Sequence, residues 1–308
     1  MQNLRIGVGG RGNGIDPALE EAKRAEEAGF QSLWFSNIFA HDALTLIALA
    51  GRATERIELG TAVVPTHSRH PLYMAQQALS TNAACGGRLA LGIGPSHKVV
   101  IENMLGLSFE KPARHVREYV QVLKALLEEG RVKHEGQVYR VQGQLRVPGA
   151  TPCPVLIGGL GKLMRRIAGG MADGTLTWMT GRRTLAEEIG PDVRAAAEEA
   201  GRPAPRIVAA LPVCVTDDEA AAREAIDKVL ATYPNLPSYK AMLDLEGATR
   251  PSDIALVGDE SSVADGVRAL ANAGVTDFNA TIIGAGGDAK AAAERTWQLM
   301  AELARGEA

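Results

Sequence analysis

The sequence lacks paired cysteines, an excess of charge and any long apolar run. Its three cysteines, Cys85, Cys153 and Cys214, are too few and too scattered for a disulfide framework or a metal-ligand pair. The net charge of -3 provides no basic surface for nucleic acid. No window approaches ~18 uninterrupted apolar residues, and residues 1–10 do not form a charged leader followed by an apolar segment. We therefore expect a cytoplasmic protein that binds neither nucleic acid nor a membrane.

What the chain does have is a 46% hydrophobic content, ample for a core, and a recurring order of helix, glycine, tight turn and strand. The segment 27–36, Glu-Ala-Gly-Phe-Gln-Ser-Leu-Trp-Phe-Ser, resembles 272–281, Asn-Ala-Gly-Val-Thr-Asp-Phe-Asn-Ala-Thr. Glycine suits the left-handed residue that ends a helix, so both segments are interpreted as helix-to-strand joints. Such alternation predicts a parallel sheet.

Eight strand-helix units predict an α/β fold, a (β/α)₈ TIM barrel with rim insertions, as a single domain over residues 1–308. The first helix is expected to start at Asp16, as the capping residue, and Pro17. The predicted strands are 4–8, 32–36, 57–64, 89–93, 155–157, 175–178, 207–215 and 277–282. The predicted later helices include 43–54, 72–84, 113–128, 162–171, 185–200 and 289–303.

Two segments do not fit the repeat. Residues 133–147 alternate polar and apolar residues around two glycines, which predicts an inserted hairpin. Residues 234–251 are interpreted as a rim loop with a short helix. Both are expected to be excursions from a barrel that no linker divides.

The strongest local signal is the segment 88–97, Arg-Leu-Ala-Leu-Gly-Ile-Gly-Pro-Ser-His. Its apolar run is typical of a strand buried on both faces, and it ends in Ser96 and His97. Ligands of parallel α/β proteins bind beyond the carboxyl ends of the strands, so these two side chains are candidates for a site. A plain turn with a hydrogen-bonded histidine is the alternative.

Four segments are similar to those of a known family: 88–97, 57–71, 154–182 and 39–45 (Phe-Ala-His-Asp-Ala-Leu-Thr). The similarity spans nearly the whole chain. The sequence resembles the bacterial luciferase-like superfamily of flavin- and deazaflavin-dependent oxidoreductases. Within it, the chain looks most like the branch that uses the deazaflavin coenzyme F420, with FMN as the alternative cofactor. The resemblance implies a non-proline cis peptide between Ala62 and Val63, against the middle ring of the cofactor.

A glycine-rich strand-to-helix joint follows the fifth predicted strand. Free backbone N–H groups of Gly158–Gly161 and the side chains of Lys162, Arg165 and Arg166 are expected to converge there as an anion pocket. The resemblance implies that Thr180, Gly181 and Arg182 form the other wall of a cofactor phosphate site. The full set of expected cofactor contacts is Asn37, Ala62, Val63, Ser96, His97, Gly158, Gly159, Leu160, Gly161, Thr180, Gly181 and Arg182.

The histidines are the candidates for proton transfer. Four of them follow predicted strands, namely His41, His67, His70 and His97. Each either has a structural role or contacts the reacting groups. No His-x-His pair occurs at a strand end, so no metal is expected. Alcohol dehydrogenases of this type carry an Asp-His or similar pair where this chain has Asn37 and Ile38.

Without that base, hydride transfer to an activated alkene or imine fits better than alcohol oxidation, with His41 or His97 as proton donor. We therefore expect an F420-dependent oxidoreductase that transfers a hydride between the deazaflavin C5 and a small organic substrate. The alternatives are an FMN-dependent luciferase-like monooxygenase, fed by a separate cofactor reductase, and a cofactor-binding carrier without catalysis. A homodimer is expected. The substrate contacts are expected on the variable rim loops.

Overall fold

The computed structural model describes residues 4–307, so residues 1–3 and 308 of the predicted domain lie outside the described residues. The strands are β1 Arg5–Gly10, β2 Ser32–Phe35, β3 Glu58–Thr61, β4 Val64–Pro65, β5 Leu89–Gly94, β6 Arg131–Glu135, β7 Arg140–Gln144, β8 Val155–Ile157, β9 Gly174–Trp178, β10 Arg206–Val215, β11 Leu256–Gly258 and β12 Asp277–Ile282. The helices are α1 Ile15–Glu27, α2 Ala43–Ala53, α3 Pro71–Ala84, α4 Pro112–Glu129, α5 Lys162–Gly170, α6 Arg182–Thr184, α7 Gly190–Glu199, α8 Glu219–Val229, α9 Pro237–Glu246, α10 Glu260–Asn272 and α11 Ala289–Arg305.

Eight parallel strands close into a barrel in the order β1, β2, β3, β5, β8, β9, β10 and β12, which pairs with β1 again. β4 extends the line of β3 and pairs with β5, and β11 pairs with the carboxyl end of β10 outside the ring. The helices surround this ring. The predicted (β/α)₈ barrel is confirmed. No helix within residues 4–307 is both long and apolar enough to cross a bilayer.

Three local expectations were wrong. Asp16 does not cap α1, which begins at Ile15 after Gly14, two residues earlier than predicted. The Asp16 carboxylate lies in the first turn instead, where the helix dipole stabilises a negative charge. The predicted strand 57–64 is two strands, separated by Ala62 and Val63. The predicted helix 185–200 instead begins with α6 and contains a π-helical turn, Leu185–Ile189. Pro191 follows shortly after this turn and has no N–H to continue the α-helical hydrogen bonds.

The two segments outside the repeat form ordered insertions. β6 and β7 pair as an antiparallel hairpin whose tip is held by Glu118 of α4, which accepts hydrogen bonds from the N–H groups of residues 137–139 at 2.8–3.0 Å. These donors hold the pKa of the Glu118 carboxyl below its usual range. The second insertion, which we call the rim insert, runs from the 3₁₀ turn Tyr233–Asn235 through α9 to a further turn, Pro251–Ile254.

The amino end of the barrel is closed by four charged side chains. Arg206 donates to Glu58 at 2.8 Å and to Asp277 at 2.6 Å, and Arg5 donates to the same two carboxylates at 3.2 and 3.0 Å. The Asp277 side chain is only 2% exposed. Because each carboxylate contacts two guanidinium groups, the network ties together the starts of β1, β3, β10 and β12.

The barrel interior has its own small core, distinct from the larger layer between strands and helices. It consists of Trp34, Ala90, Leu156, Leu176 and Val208, with Ala62 and Val63 packed against it. The indole of Trp34 takes the space opposite Gly60, where an added Cβ would lie 2.1 Å from the ring. The barrel is therefore filled at its centre, and the space open to ligands lies above this layer.

Candidate functional site

Small residues line the inner face at the carboxyl end of the barrel. Side chains of a strand alternate between its two faces, so residues two or four positions beyond the interior core lie on the same inner face, nearer the mouth. These positions hold Gly94 on β5 and Gly158 after β8. A Cβ added at Gly94 would lie 2.6 Å from the carbonyl oxygen of Gly158, and one added at Gly158 would lie 2.8 Å from Cγ1 of Val63. Only glycines permit this close approach.

Ala62 and Val63 form one side of this mouth, and the peptide bond between them is cis. The Ala62 N–H donates to the carbonyl oxygen of Phe35 at 2.8 Å, and the Ser36 hydroxyl donates to the carbonyl oxygen of Ala62 at 3.2 Å. The end of β2 therefore fixes this segment from both sides. Both side chains are half-buried, with their lower parts on the interior core.

The loop after β5 places Ser96 and His97 at the same rim. Ser96 has a φ of 64°, in the left-handed region that few side chains adopt, and the turn directs the chain into a π-helical segment, Val99–Met104. The half-buried His97 ring lies 5.5 Å from the ring of Tyr239 on α9. Burial lowers the pKa of His97 below that of a free imidazole.

The glycine-rich joint leads into α5 as the sequence indicated, but two of its three basic residues, Arg165 and Arg166, pair with carboxylates. Gly161 precedes the helix, no side chain caps its first turn, and a Cβ added at Gly161 would meet no atom within 4 Å. Arg165 pairs instead with Glu188 and Asp192, at 3.3 and 2.9 Å, and Arg166 pairs with Glu199. The expectation that both arginines serve an anion pocket is wrong, because carboxylates on the neighbouring helix take them.

In the other predicted wall of the phosphate site, several hydrogen-bonding groups already have partners within the protein. The hydroxyl of the buried Thr180 donates to the carbonyl oxygen of Trp178 at 3.3 Å. The N–H groups of Arg183 and Thr184, at the start of α6, donate to Glu246 of the rim insert at 3.0 and 2.7 Å. These amides are therefore engaged by a carboxylate, and the exposed Arg182 side chain is what this wall offers to a phosphate.

On the loop after β2, positions 37 and 38 hold no side chain that can take a proton from an alcohol. The Asn37 side-chain oxygen accepts the N–H of Ala43 at 3.0 Å, and Ile38 is 64% exposed. His41 is exposed on the same loop, next to Asp42, which caps α2 and binds Arg69. Asn37 is thus a structural cap for the loop, and His41 is the imidazole that the loop contains.

Three of the remaining histidines make stacking or capping contacts within the fold. His67 and His115 stack in parallel at 3.8 Å, and His115 Nε2 lies 3.0 Å from the Thr66 hydroxyl. Burial lowers the pKa of His115 to about 4. His70 accepts the N–H of Leu72 at 3.3 Å as the cap of α3. Neutral, stacked or capping rings of this kind stabilise structure, so His97 and His41 remain the candidates for proton transfer.

The rim insert brings aromatic side chains to the mouth that the sequence did not assign to it. Trp178 at the end of β9 contacts Tyr233 edge-to-face at 5.9 Å, Tyr233 contacts Tyr239 at 5.1 Å, and Tyr239 faces His97. The chain is poor in aromatic residues, yet these form one continuous wall. Sequence distance hid it, since the two tyrosines lie more than 50 positions beyond Trp178. The only signal was their presence in an insertion at the barrel rim.

The residues present fit a flavin-like cofactor. A flat tricyclic ring needs a shallow mouth lined by small side chains, which Ala62, Gly94 and Gly158 provide above the interior core. A phosphate group needs N–H donors that no side chain already uses, and the first turn of α5 has these beside the open Gly161.

Comparison with known proteins decides the family. A model described as luciferase-like monooxygenase matches residues 3–277 of the sequence. The chain belongs to this family. The predicted membership of the luciferase-like superfamily and the prediction of an enzyme are thereby confirmed.

Relatives and solved structures agree with this membership. The 5,10-methylenetetrahydromethanopterin reductase of Methanolobus tindarius is 28% identical over 265 residues, covering 79% of this chain and 79% of the relative. The structure of the coenzyme F420-dependent tetrahydromethanopterin reductase from Methanopyrus kandleri superimposes with a TM-score of 0.78 at 22% identity, covering 97% of this chain and 98% of that one. The oxygenating constituent of 3,6-diketocamphane monooxygenase from Pseudomonas putida, in complex with FMN, gives 0.76 at 17% identity, with 99% and 98% covered. At these identities the two structures show a shared fold.

Proposed function

We propose that this luciferase-like protein is a coenzyme F420-dependent oxidoreductase that reduces an activated alkene or imine in a small organic molecule. The choice of cofactor is supported by the reductase relative and by the F420-dependent structural neighbour. The reaction type is supported by the loop after β2. There, Asn37 serves as a structural cap and Ile38 faces solvent, so the Asp-His or similar pair expected for alcohol oxidation is absent from positions 37 and 38. Reduction of a polarised double bond needs only a hydride and one proton.

The residues divide by role in this proposal. Ala62, Val63 and Gly158 receive the cofactor ring, and the first turn of α5 with Arg182 receives its phosphate. The cofactor, when bound, supplies the hydride at C5. The aromatic wall of Trp178, Tyr233 and Tyr239 shields the mouth from water on the side away from Ala62 and Val63.

An equilibrium fluorescence titration with F420 and with FMN, side by side, tests the cofactor. We expect tighter binding of F420. Equal or tighter binding of FMN would favour the monooxygenase alternative, because a deazaflavin does not support the oxygen chemistry of flavins. Turnover on a panel of enones and imines then separates an enzyme from a carrier, which would bind the cofactor and reduce none of them.

Replacing Arg182 tests the phosphate site. Arg182→Ala is expected to weaken cofactor binding by about tenfold at low salt, because a charge-assisted contact to phosphate is lost. The difference from the parent should shrink as the salt concentration rises towards 1 M, where the Debye length is only about 3 Å. Arg268→Ala, an exposed arginine paired with Asp265 on α10, is the matched control. A deficit that is independent of salt would indicate lost packing instead of lost charge.

Replacing His97 tests proton transfer. A general acid contributes roughly a hundredfold or more to turnover, so His97→Ala should lower kcat by that factor while cofactor affinity stays nearly unchanged. Since burial lowers the pKa of His97 and a general acid must be protonated, kcat of the parent should fall as the pH rises through a value below the usual imidazole range.

His41→Ala is the comparison for the second candidate donor. Loss of turnover there, with His97→Ala unaffected, would move the role to the exposed imidazole. If both variants stay within about twofold of the parent between pH 5 and 9, the proton comes from water and both rings are structural.

A further inference from the structure

An asparagine in the barrel interior has a carbonyl oxygen without a hydrogen-bond partner. Asn279 lies on β12, two residues beyond Asp277 of the ion network and two before Thr281. The residue is 4% exposed, and its Oδ1 atom is buried with no donor within reach among residues 4–307. A buried acceptor left unpaired is unfavourable and is rare in native proteins, so a group outside the described chain is the expected donor.

The space beside Asn279 is open because of a glycine on the neighbouring strand. Phe278 and Ala280 pack into the layer under the helices, which leaves Asn279 on the inner face of the barrel. A Cβ added at Gly9 of β1 would lie 3.6 Å from both Asn279 Oδ1 and Thr281 Oγ1, at ordinary contact distance. Gly9 has no such atom. The two oxygens therefore both lie beside Gly9 on the inner face of the barrel, where the glycine leaves the space of a side chain empty.

The chemistry of this gap suits one edge of a flavin-like ring. The pyrimidine edge of flavins and deazaflavins has an imide N–H between two carbonyl groups. A carboxamide complements that edge, because its oxygen accepts from the N–H while its NH₂ group donates to an adjacent carbonyl. The interior core at this level is apolar, and beyond Asp277 the strand β12 presents two polar side chains to the inner face, Asn279 and Thr281. Of these two, Asn279 has the buried oxygen that no donor among residues 4–307 reaches.

We propose that Asn279 recognises the bound cofactor ring, with Oδ1 accepting a hydrogen bond from the imide N–H. This inference rests on the proposed cofactor-dependent function and assigns a residue that neither the glycine-rich joint nor the segment 62–63 indicated. The unpaired oxygen destabilises the cofactor-free protein and is satisfied when the ring binds. Removing the carboxamide should therefore raise the stability of the cofactor-free protein and lower its affinity for the cofactor.

The test uses Asn279→Leu, which keeps the branched shape of the side chain and removes its polar atoms. Asn82→Leu on α3 is the matched control, since Asn82 is equally buried but fully paired: Nδ2 donates to the Thr151 carbonyl at 2.9 Å, and Oδ1 accepts the Leu89 N–H at 2.9 Å. Thermal unfolding without cofactor and fluorescence titration with F420 are measured for both variants and the parent.

Asn279→Leu should unfold at the parent temperature or about 2 °C above it, and bind F420 about tenfold more weakly. Asn82→Leu should unfold several degrees lower, with unchanged affinity in the folded fraction. Unfolding of Asn279→Leu at a clearly lower temperature, or unchanged F420 affinity, would show that the carboxamide is structural. If Asn279→Leu does not fold, Asn279→Ala is titrated in its place, with the same loss of affinity expected.

The outcome for the parent separates this inference from the proposed function. If the parent binds FMN but not F420, the proposed cofactor is wrong. The effect of Asn279→Leu is then measured on FMN affinity, because FMN has the same imide edge. If the parent binds neither, both proposals are overturned.

Discussion

Ala62→Phe is expected to abolish cofactor binding while the barrel stays folded. Ala62 packs its methyl group on the interior core and faces the mouth on its other side. A benzyl group there occupies the space that the cofactor ring needs, and it extends into an open mouth where it does not overpack the core. The F420 affinity should fall by at least about a hundredfold, which corresponds to about 2.7 kcal/mol. Fluorescence titration measures the loss, and circular dichroism checks that the fold is unchanged.

Ala62→Ser is the matched control for size. The hydroxyl adds one atom and leaves the mouth open, so affinity should remain within a few-fold of the parent. Normal cofactor binding by Ala62→Phe would show that the ring binds elsewhere, and the assignment of Ala62 and Val63 to the cofactor site would be wrong.

The second large effect concerns stability at the opposite end of the barrel. Arg206→Met removes two donors from Asp277, whose side chain is 2% exposed, and two from Glu58. With Arg206 gone, the two carboxylates share Arg5 alone, so one negative charge of the network is uncompensated. Deleting one partner of a buried ion pair costs about 3 kcal/mol. We expect the free energy of unfolding in denaturant to fall by this amount, with cofactor affinity of the folded protein unchanged.

Arg268→Met is the control for the loss of an arginine as such. Its partner Asp265 is 72% exposed, and surface pairs of this kind contribute at most about 1 kcal/mol. Equal effects of the two substitutions would contradict the stabilising role of the network, and the amino end of the barrel would then be held by packing alone.

The barrel was predictable because its signals are local. Apolar runs and glycine punctuation located the eight strands to within a few residues, as at Val155–Ile157 and Asp277–Ile282, where the predicted and observed bounds coincide. The boundaries that failed depend on single competing contacts. The strand around Ala62 is divided where the end of β2 binds its backbone, and the helix near Pro191 widens where an N–H is absent.

The candidate site was only partly predictable, because a motif specifies residue types and not their partners. The glycine-rich joint is where the sequence indicated, yet Arg165 and Arg166 are taken by carboxylates on the next helix. Likewise, the amides at the start of α6 bind Glu246, more than 60 residues away in the chain. Charge pairing between elements distant in sequence leaves no trace in the spacing of either element.

The sequence by itself determined the fold class, the family and the rim positions of Ser96, His97 and Gly158–Gly161, since each follows from the order of strands and the residues at their ends. Only the tertiary structure decided which polar groups remain available. It paired His67 with His115, turned Asn37 into a cap and brought Tyr239 to His97. It also left Asn279 Oδ1 without a donor from residues 4–307. The physical reason is that hydrogen bonding and burial depend on what the folded chain places within about 3 Å of an atom, and closing the barrel brings together residues from every part of the sequence.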